Sequence, residues 1–410
     1  MVPKGWNYIP MGRLVEKVTR PVSVDQTQRY QEIGIRSHGR GLFDKEPVTG
    51  ADLGDKRVFW VEPNCLILNI VFAWEQAVGR TTNEDRGKIA SHRFPMYKPR
   101  AGRSDIDYLT YLFKTPYGKY ILGLASPGGA GRNKTLGQSE FLKTVVCVPS
   151  IAEQQRIVAI LKTWDRAITT VDRLFKNSVA QRDALMQSLL TGKQRLPGFS
   201  APWMSKTVQF LGPFKKGKGL KRDDVQDHGL PCVLYGDIYT KYQYVARTVT
   251  SFIPQALSST AQPIQKGDLL YTASGETKED IGRCVAYLGD AEAYAGGDIL
   301  IQSPNGRVAD AEFLGYLLNH ESAVRQKARL GQGHSVVHIS AKSLASIPMR
   351  LPSRDEQRAI ASLLTVSERM VQNYGLQHRQ LASQKEALMQ QLLTGKRRVR
   401  CTQPKEVAHA

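Results

Sequence analysis

Residues Pro149 to Leu161 read PSIAEQQRIVAIL and Ala184 to Arg195 read ALMQSLLTGKQR. Farther along, Pro352 to Leu364 read PSRDEQRAIASLL and Ala387 to Arg398 read ALMQQLLTGKRR. The two stretches align without a gap at one offset, 352 − 149 = 203 and 395 − 192 = 203. Over the last dozen positions only Ser188/Gln391 and Gln194/Arg397 differ. Agreement of this kind within one chain marks an internal duplication.

Each copy predicts a long helix. Ser150 with Glu153 and Ser353 with Glu356 have the S-x-x-E spacing of a capping box, directly after a proline. Apolar residues then recur at steps of four and three. In the first copy they are Ile157, Leu161, Trp164, Ile168, Val171, Phe175, Leu185 and Leu189. In the second they are Ile360, Leu364, Val371, Tyr374, Leu381, Leu388 and Leu392. This is an a/d heptad seam, which calls for a second long helix as partner. Gly192 and Gly395 stand where a left-handed residue ends a helix. About 42 residues at 1.5 Å each make a rod of roughly 60 Å. Ser178, Arg182, Ser367, His378 and Lys385 interrupt the seam, and polar seam positions are a known way of setting register. The Leu185, Met186 and Leu189 group belongs to the seam rather than to a ligand pocket.

Outside the helices the halves differ almost everywhere. The segments expected from the repeat are 1–148, globular; 149–195, first long helix; 196–351, globular; 352–398, second long helix; and 399–410, an expected disordered tail. The globular segments read as mixed α/β, with short strands such as Arg57–Val61, Cys65–Val71, Thr144–Val148, Asp268–Ala273, Arg283–Leu288, Ile299–Ser303 and Ser346–Leu351. One helix is expected from Ser104 onward to Leu122, and another is capped by Asp310. The fold class is therefore α/β (mixed α+β), two such domains joined by a pseudo-two-fold antiparallel pair of long helices.

Composition narrows the function. A length of 410 residues suggests two to four domains. The formal charge of +20 points to a polyanionic partner, nucleic acid or an anionic membrane. Residues 1–148 carry 22 Lys and Arg against 14 Asp and Glu, a net of +8, and residues 196–351 carry 17 against 14, a net of +3. No apolar run reaches membrane-spanning length, and MVPKGWNYIP lacks the apolar core of a signal peptide, so a cytosolic protein is expected. The cysteines, Cys65, Cys147, Cys232, Cys284 and Cys401, are odd in number and form no C-x-x-C pair. No N/D-P-P-Y/F motif and no G-x-x-x-x-G-K-[ST] occurs, so neither methyl transfer nor ATP binding is expected. His334 and His338 have metalloprotease spacing without the glutamate, and no metal is expected there.

Glycine-rich basic loops supply the candidate DNA contacts. They are Arg36, His38, Arg40, Arg132, Asn133 and Lys134 in the first segment. In the second they are Lys218, Lys221, Arg222, Tyr239, Lys241, Gln332 and His334. Arg and Lys can pair with guanine edges, and Asn and Gln with adenine. The plainer role for each is a phosphate contact or a solvated charge. Identical helix ends suit one partner bound twice, with Gln187, Lys193, Gln390 and Lys396 as the exposed candidates. Two readings stand against DNA recognition: a coiled-coil adaptor whose basic domains bind acidic proteins, and an unrecognised nuclease. A nuclease would want clustered acidic metal ligands, and the acids here are scattered.

The P-S-x-x-E-Q start, the L-L-T-G-K end, their repetition and the unlike segments between them resemble the DNA-specificity subunit of type I restriction–modification enzymes, over essentially the whole chain. The resemblance implies two target recognition domains, each reading one half of a bipartite asymmetric site in double-stranded DNA. It implies helices that act as a ruler for the spacer, two modification subunits as partners, and restriction subunits joining them. It implies no catalysis and no cofactor on this chain, with S-adenosylmethionine, ATP and Mg on the partner subunits, in a prokaryotic cytoplasm.

Overall fold

The computed structural model describes residues 3–128, 134–333 and 336–399. Two continuous helices dominate it, Ile151–Leu189 and Arg354–Leu393. Ser150 and Ser353 each accept the backbone N–H of the glutamate three residues on, at 3.4 Å in both copies. Both ends are closed by the expected glycines, Gly192 and Gly395, at φ +70°. There the N–H of Gln194 reaches back to Ser188 O at 3.1 Å, and that of Arg397 to Gln391 O at 3.1 Å. That back-bonding stops a helix by satisfying its last carbonyls.

The chain divides into two compact units. One comprises residues 1–171 and 377–410, the other residues 172–376, so each long helix gives its halves to different units. In the first unit Ile157, Val158 and Leu161 share a core with Leu392 and Leu393. In the second, Met186, Leu189 and Leu190 share one with Ile360, Ala361 and Leu364. The start of one helix meets the end of the other in both units, so the pairing is antiparallel. The apolar seam positions are all buried or half-buried.

Two of the polar seam positions, Lys385 and Arg182, form ion pairs. Lys385 Nζ lies 2.6 Å from Asp165 in the first unit, and Arg182 Nη1 lies 3.1 Å from Glu368 in the second. The two contacts are copies of one another, since 385 − 182 and 368 − 165 both equal 203.

In the first unit a four-stranded antiparallel sheet runs Val15–Val18, Met96–Pro99, Leu66–Leu68, Val78–Arg80, with small ribbons around it. The second unit has a five-stranded sheet ordered Phe214–Lys216, Ile299–Gln302, Leu269–Thr272, Cys284–Tyr287, Val245–Ala246. A four-stranded sheet stands beside it in sequence, Ser251–Ile253, Leu230–Val233, Ala293–Ala295, Gln262–Ile264. Helix Ala311–Leu317 is capped by Asp310 as expected. The single helix expected from Ser104 to Leu122 is instead two, Ile106–Phe113 and Pro116–Leu124. Pro116 cannot donate into the preceding turn, and Thr115 caps a fresh start. No helix among the described residues is long and apolar enough to cross a membrane.

Candidate nucleic-acid interface and the helix ends that hold it

The repeated P-S-x-x-E-Q run anchors each domain. Gln154 is buried; its Oε1 accepts the backbone N–H of Asp105 at 2.9 Å, and its amide donates to Pro149 O at 3.0 Å. Gln357 does the same with Asp310 N–H at 2.9 Å, Pro352 O at 2.9 Å and Val308 O at 3.1 Å. Asp105 and Asp310 are themselves the helix caps of their domains. The glutamate beside each glutamine pairs in two-pronged fashion with the last arginine of the other copy. Arg398 meets Glu153 at 2.8 and 2.8 Å, and Arg195 meets Glu356 at 2.6 and 2.7 Å. Hydrogen bonding to Glu356 raises the Arg195 pKa. Both glutamate side chains thus have a role that their capping-box spacing does not give. No local reading finds it, because the partners are 245 and 161 residues away.

In the first domain the basic cluster sits on a hairpin, Ile33–Arg36 with Gly41–Asp44. Gly34 faces Phe43, whose ring occupies the place a Cβ would take, 2.3 Å from the nearest ring atom. The same ring lies 4.5 Å beneath the Arg36 guanidinium, a cation–π contact. His38, Gly39 and Gly41 all take positive φ in the turn. His38 and Gly39 donate backbone N–H groups to Glu75 O and Gln76 O at 2.7 and 2.8 Å. Exposed Arg36, His38 and Arg40 are therefore held over the Ala73–Glu75 turn. Lys134 comes to the same place from the far end of the domain, its Nζ 5.8 Å from the Trp74 ring. Arg132 and Asn133 lie outside the described residues.

In the second domain the candidates fall into two groups. Lys218, Lys221 and Arg222 are exposed on one run. Its glycines serve close backbone contact within the protein: a Cβ on Gly217 would lie 2.0 Å from Gly296 O, and one on Gly219 2.5 Å from Thr260 O. Tyr239 bonds strand Ser274–Gly275 directly, and Gln332 pairs with His338, the residue opposite Ser274. The Tyr239 hydroxyl sits among Thr272 Oγ1, Ser274 O and Asp280 O at 2.9, 3.0 and 3.0 Å, and burial raises its pKa. That hydroxyl is held by the domain, and the half-buried ring packs against Tyr235 and Arg283. Lys241 is paired with Asp237 at 2.9 Å and donates to Ser251 at 2.7 Å. Gln332 is exposed where residues 332 and 338 pair through their backbones. His334 lies outside the described residues.

The sequence reading passed over several cations and rings. Phe72 and Trp74, within an apolar run, flank the basic hairpin. Arg247, Arg283 and Arg369 line a cleft of about 500 Å3 in the second unit, with Tyr244, Glu312 and Gln372. Arg247 and Arg369 are isolated arginines without glycine neighbours, and Arg283, although it follows Gly282, reads as the start of a strand. The partner candidates Gln187, Lys193, Gln390 and Lys396 are all exposed, and Gln187 Oε1 lies 2.8 Å from His320 Nε2. Among the described residues no cluster of His, Cys, Asp and Glu could hold a metal ion.

No family model matches the chain. It is 23% identical over 281 residues to the type I restriction enzyme MjaVIII specificity subunit of Methanocaldococcus jannaschii. That alignment covers 63% of this chain and 64% of the relative's length. Among solved structures, the HsdS subunit from Thermoanaerobacter tengcongensis aligns with TM-score 0.52 at 17% identity, over 97% of this chain and 98% of that one. The S subunit of the type I restriction–modification system from M. genitalium aligns with TM-score 0.61 at 14% identity, over 96% and 99%. A chain from a structure of the type I R-M system concerned with complex assembly aligns at 0.55 and 17% identity, over 97% and 100%. This chain is therefore similar in sequence to a type I restriction enzyme specificity subunit and shares the fold of the solved S subunits.

Proposed function

We propose that this chain is the DNA-specificity subunit of a type I restriction–modification enzyme. Each domain reads one half of a bipartite asymmetric site in double-stranded DNA, and the long helices set the spacer. Two modification subunits dock at the repeated helix ends, restriction subunits join them, and the chain itself performs no chemistry. Its setting is the cytoplasm of a prokaryote.

One observation carries the reading: identical clamps hold unlike domains. Gln154 with Glu153 and Gln357 with Glu356 grip their domains through the same backbone groups, while the exposed basic loops share nothing. One partner bound twice, with two different targets, is the use that such a design suits. The Arg36–Arg40 hairpin supports it on the target side. Arginine on a rigid, ring-backed hairpin can offer its planar fork to the O6 and N7 edge of guanine, and neighbouring lysines can take phosphates.

The test is selection from a randomised duplex library, bound by the chain alone and with a modification subunit, and read by sequencing and by methylation mapping. Two short motifs at a constant separation are expected. A single contiguous motif, or no selection with the partner present, would overturn the reading.

A further inference from the structure

The repeated helix ends are alike, but the surfaces beside them are not. In the first unit, strand Asn7–Pro10 pairs with Val145–Val148, Tyr8 opposite Cys147 and Pro10 opposite Val145. Ile9, Val146 and Val148 face the core, which turns Tyr8 and Val145 outward, while Cys147 is half-buried against the core. Helix Pro116–Leu124 adds Tyr117, Tyr120 and Leu124, spaced three and four apart and so on one face. Tyr117 hydrogen-bonds the Cys147 backbone, and Tyr8 stands opposite Cys147 in the ribbon, so ribbon and helix adjoin. Tyr8, Tyr120 and Leu124 are 63%, 61% and 59% exposed, an unusual concentration of apolar surface.

The second unit repeats the construction with other residues. Ser205 stands opposite Arg350, and Thr207 opposite Pro348, in the same antiparallel ribbon. Helix Glu321–Leu330, capped by His320 as the other is by Thr115, places Ser322, Arg325 and Arg329 where the first unit has Tyr117, Tyr120 and Leu124. An aromatic patch has become an arginine patch.

Both patches adjoin a repeated helix end. In the second unit a recess of about 310 Å3 is lined by Leu190 and Thr191 together with Ser205, Ser322 and Arg350. In the first, Tyr117 and Met389 pack on the core that contains Leu392 and Leu393.

We propose that the two seats for the modification subunit are unequal, a proposal that rests on the function proposed above. The copy seated by the Leu392–Lys396 end gains a dry, aromatic contact. The copy seated by the Leu190–Lys193 end gains contacts from Arg329 and Arg350 to its carboxylates, with Arg325 beside them in an ion pair with Glu321. The partner surface that suits both has acidic groups around an apolar centre. Apolar burial survives salt, whereas exposed charge pairs are screened as the Debye length falls from about 10 Å at 0.1 M to about 3 Å at 1 M. Salt therefore strips one copy first.

The experiment follows the stoichiometry of the co-expressed full-length complex by sedimentation and native mass spectrometry, from about 0.05 M to about 1 M salt. The parent should pass from two copies to one, with affinities differing roughly tenfold or more at the upper end. The triple variant Tyr8→Ser, Tyr120→Arg, Leu124→Arg gives the three most exposed positions of the first patch the residues of the second. It should release both copies together. These side chains are mostly exposed, and the second unit already carries the replacements, so the unfolding temperature should stay near the parent's. A parent that loses both copies at once, or a triple variant that behaves as the parent, would overturn the inequality. Absence of any complex at low salt would remove the modification-subunit reading itself, and this proposal with it.

Discussion

Gln154 closes two firm backbone contacts and a longer one to Arg103 O at 3.4 Å, from a position almost without solvent access. Truncation orphans buried groups that water cannot reach, at about 1–3 kcal/mol each. Gln154→Ala should therefore lower the unfolding free energy of the first unit by several kcal/mol in denaturant titration. The neighbouring exposed Gln155→Ala should change it by less than about 0.5 kcal/mol. Equal effects would show that the glutamine is not the clamp. Lys327 offers a different residue-scale test. Its buried ammonium donates to Gly282 O at 2.7 Å and Leu318 O at 2.8 Å, and burial lowers its pKa to about 8. The unfolded chain therefore holds this proton more tightly than the folded one between about pH 8 and 10.5. Stability tied to the group is present above that window and falls as pH drops through it. Relative to Lys327→Met, the parent should gain roughly 3 kcal/mol between pH 7.5 and 11, measured by urea unfolding at each pH. A flat difference would mean that the ammonium is better solvated than its surroundings indicate.

At the scale of elements, the seam is where sequence and structure agree most closely. Heptad spacing, serine caps and terminal glycines are local signals, and each is found where it was expected. Signals that depend on distant partners were illegible. Arg398 and Glu153 look like surface charges until the fold joins them, and Gly217 looks like a phosphate loop until Gly296 is seen against it. Pro116 was a local signal, but the apolar period on either side of it reads straight through. Arg182 and Glu368, each nearly buried on the seam, should behave as a unit. A double-mutant cycle removing one, the other and both should give a coupling of about 1.5–3 kcal/mol, and additive losses would contradict it. The helices also carry the spacer hypothesis. A heptad inserted at matched points of both keeps the seam in phase and adds about 10.5 Å, roughly three base pairs of rise. The second half-site also turns by nearly a third of a helical turn, so weaker binding with a longer preferred spacer is expected. Methylation mapped over a spacer library reads this directly, and an unchanged spacer would refute the ruler.

At the scale of the whole molecule, the domains should be exchangeable provided that their clamped groups travel with them. Replacing residues 1–148 with a foreign domain should change one half-site and leave the other intact, as library selection would show. The graft must supply an aromatic residue for Trp6, which lies against Gly395, and an N-cap backbone N–H for Gln154. Changes in both half-sites would argue against independent reading.

The division of the chain also bears on synthesis. Residues 172–376 are contiguous, so that unit has all its parts once they have left the ribosome. The first unit begins to be made earlier and finishes later. Leu392, Leu393 and Arg398, which complete its core and its clamp, are among the last of the described residues to be translated. Its core stays open to solvent during elongation, when exposed apolar surface invites aggregation. A stop codon after residue 376 would thus damage the domain at the opposite end of the gene, while sparing the one beside it.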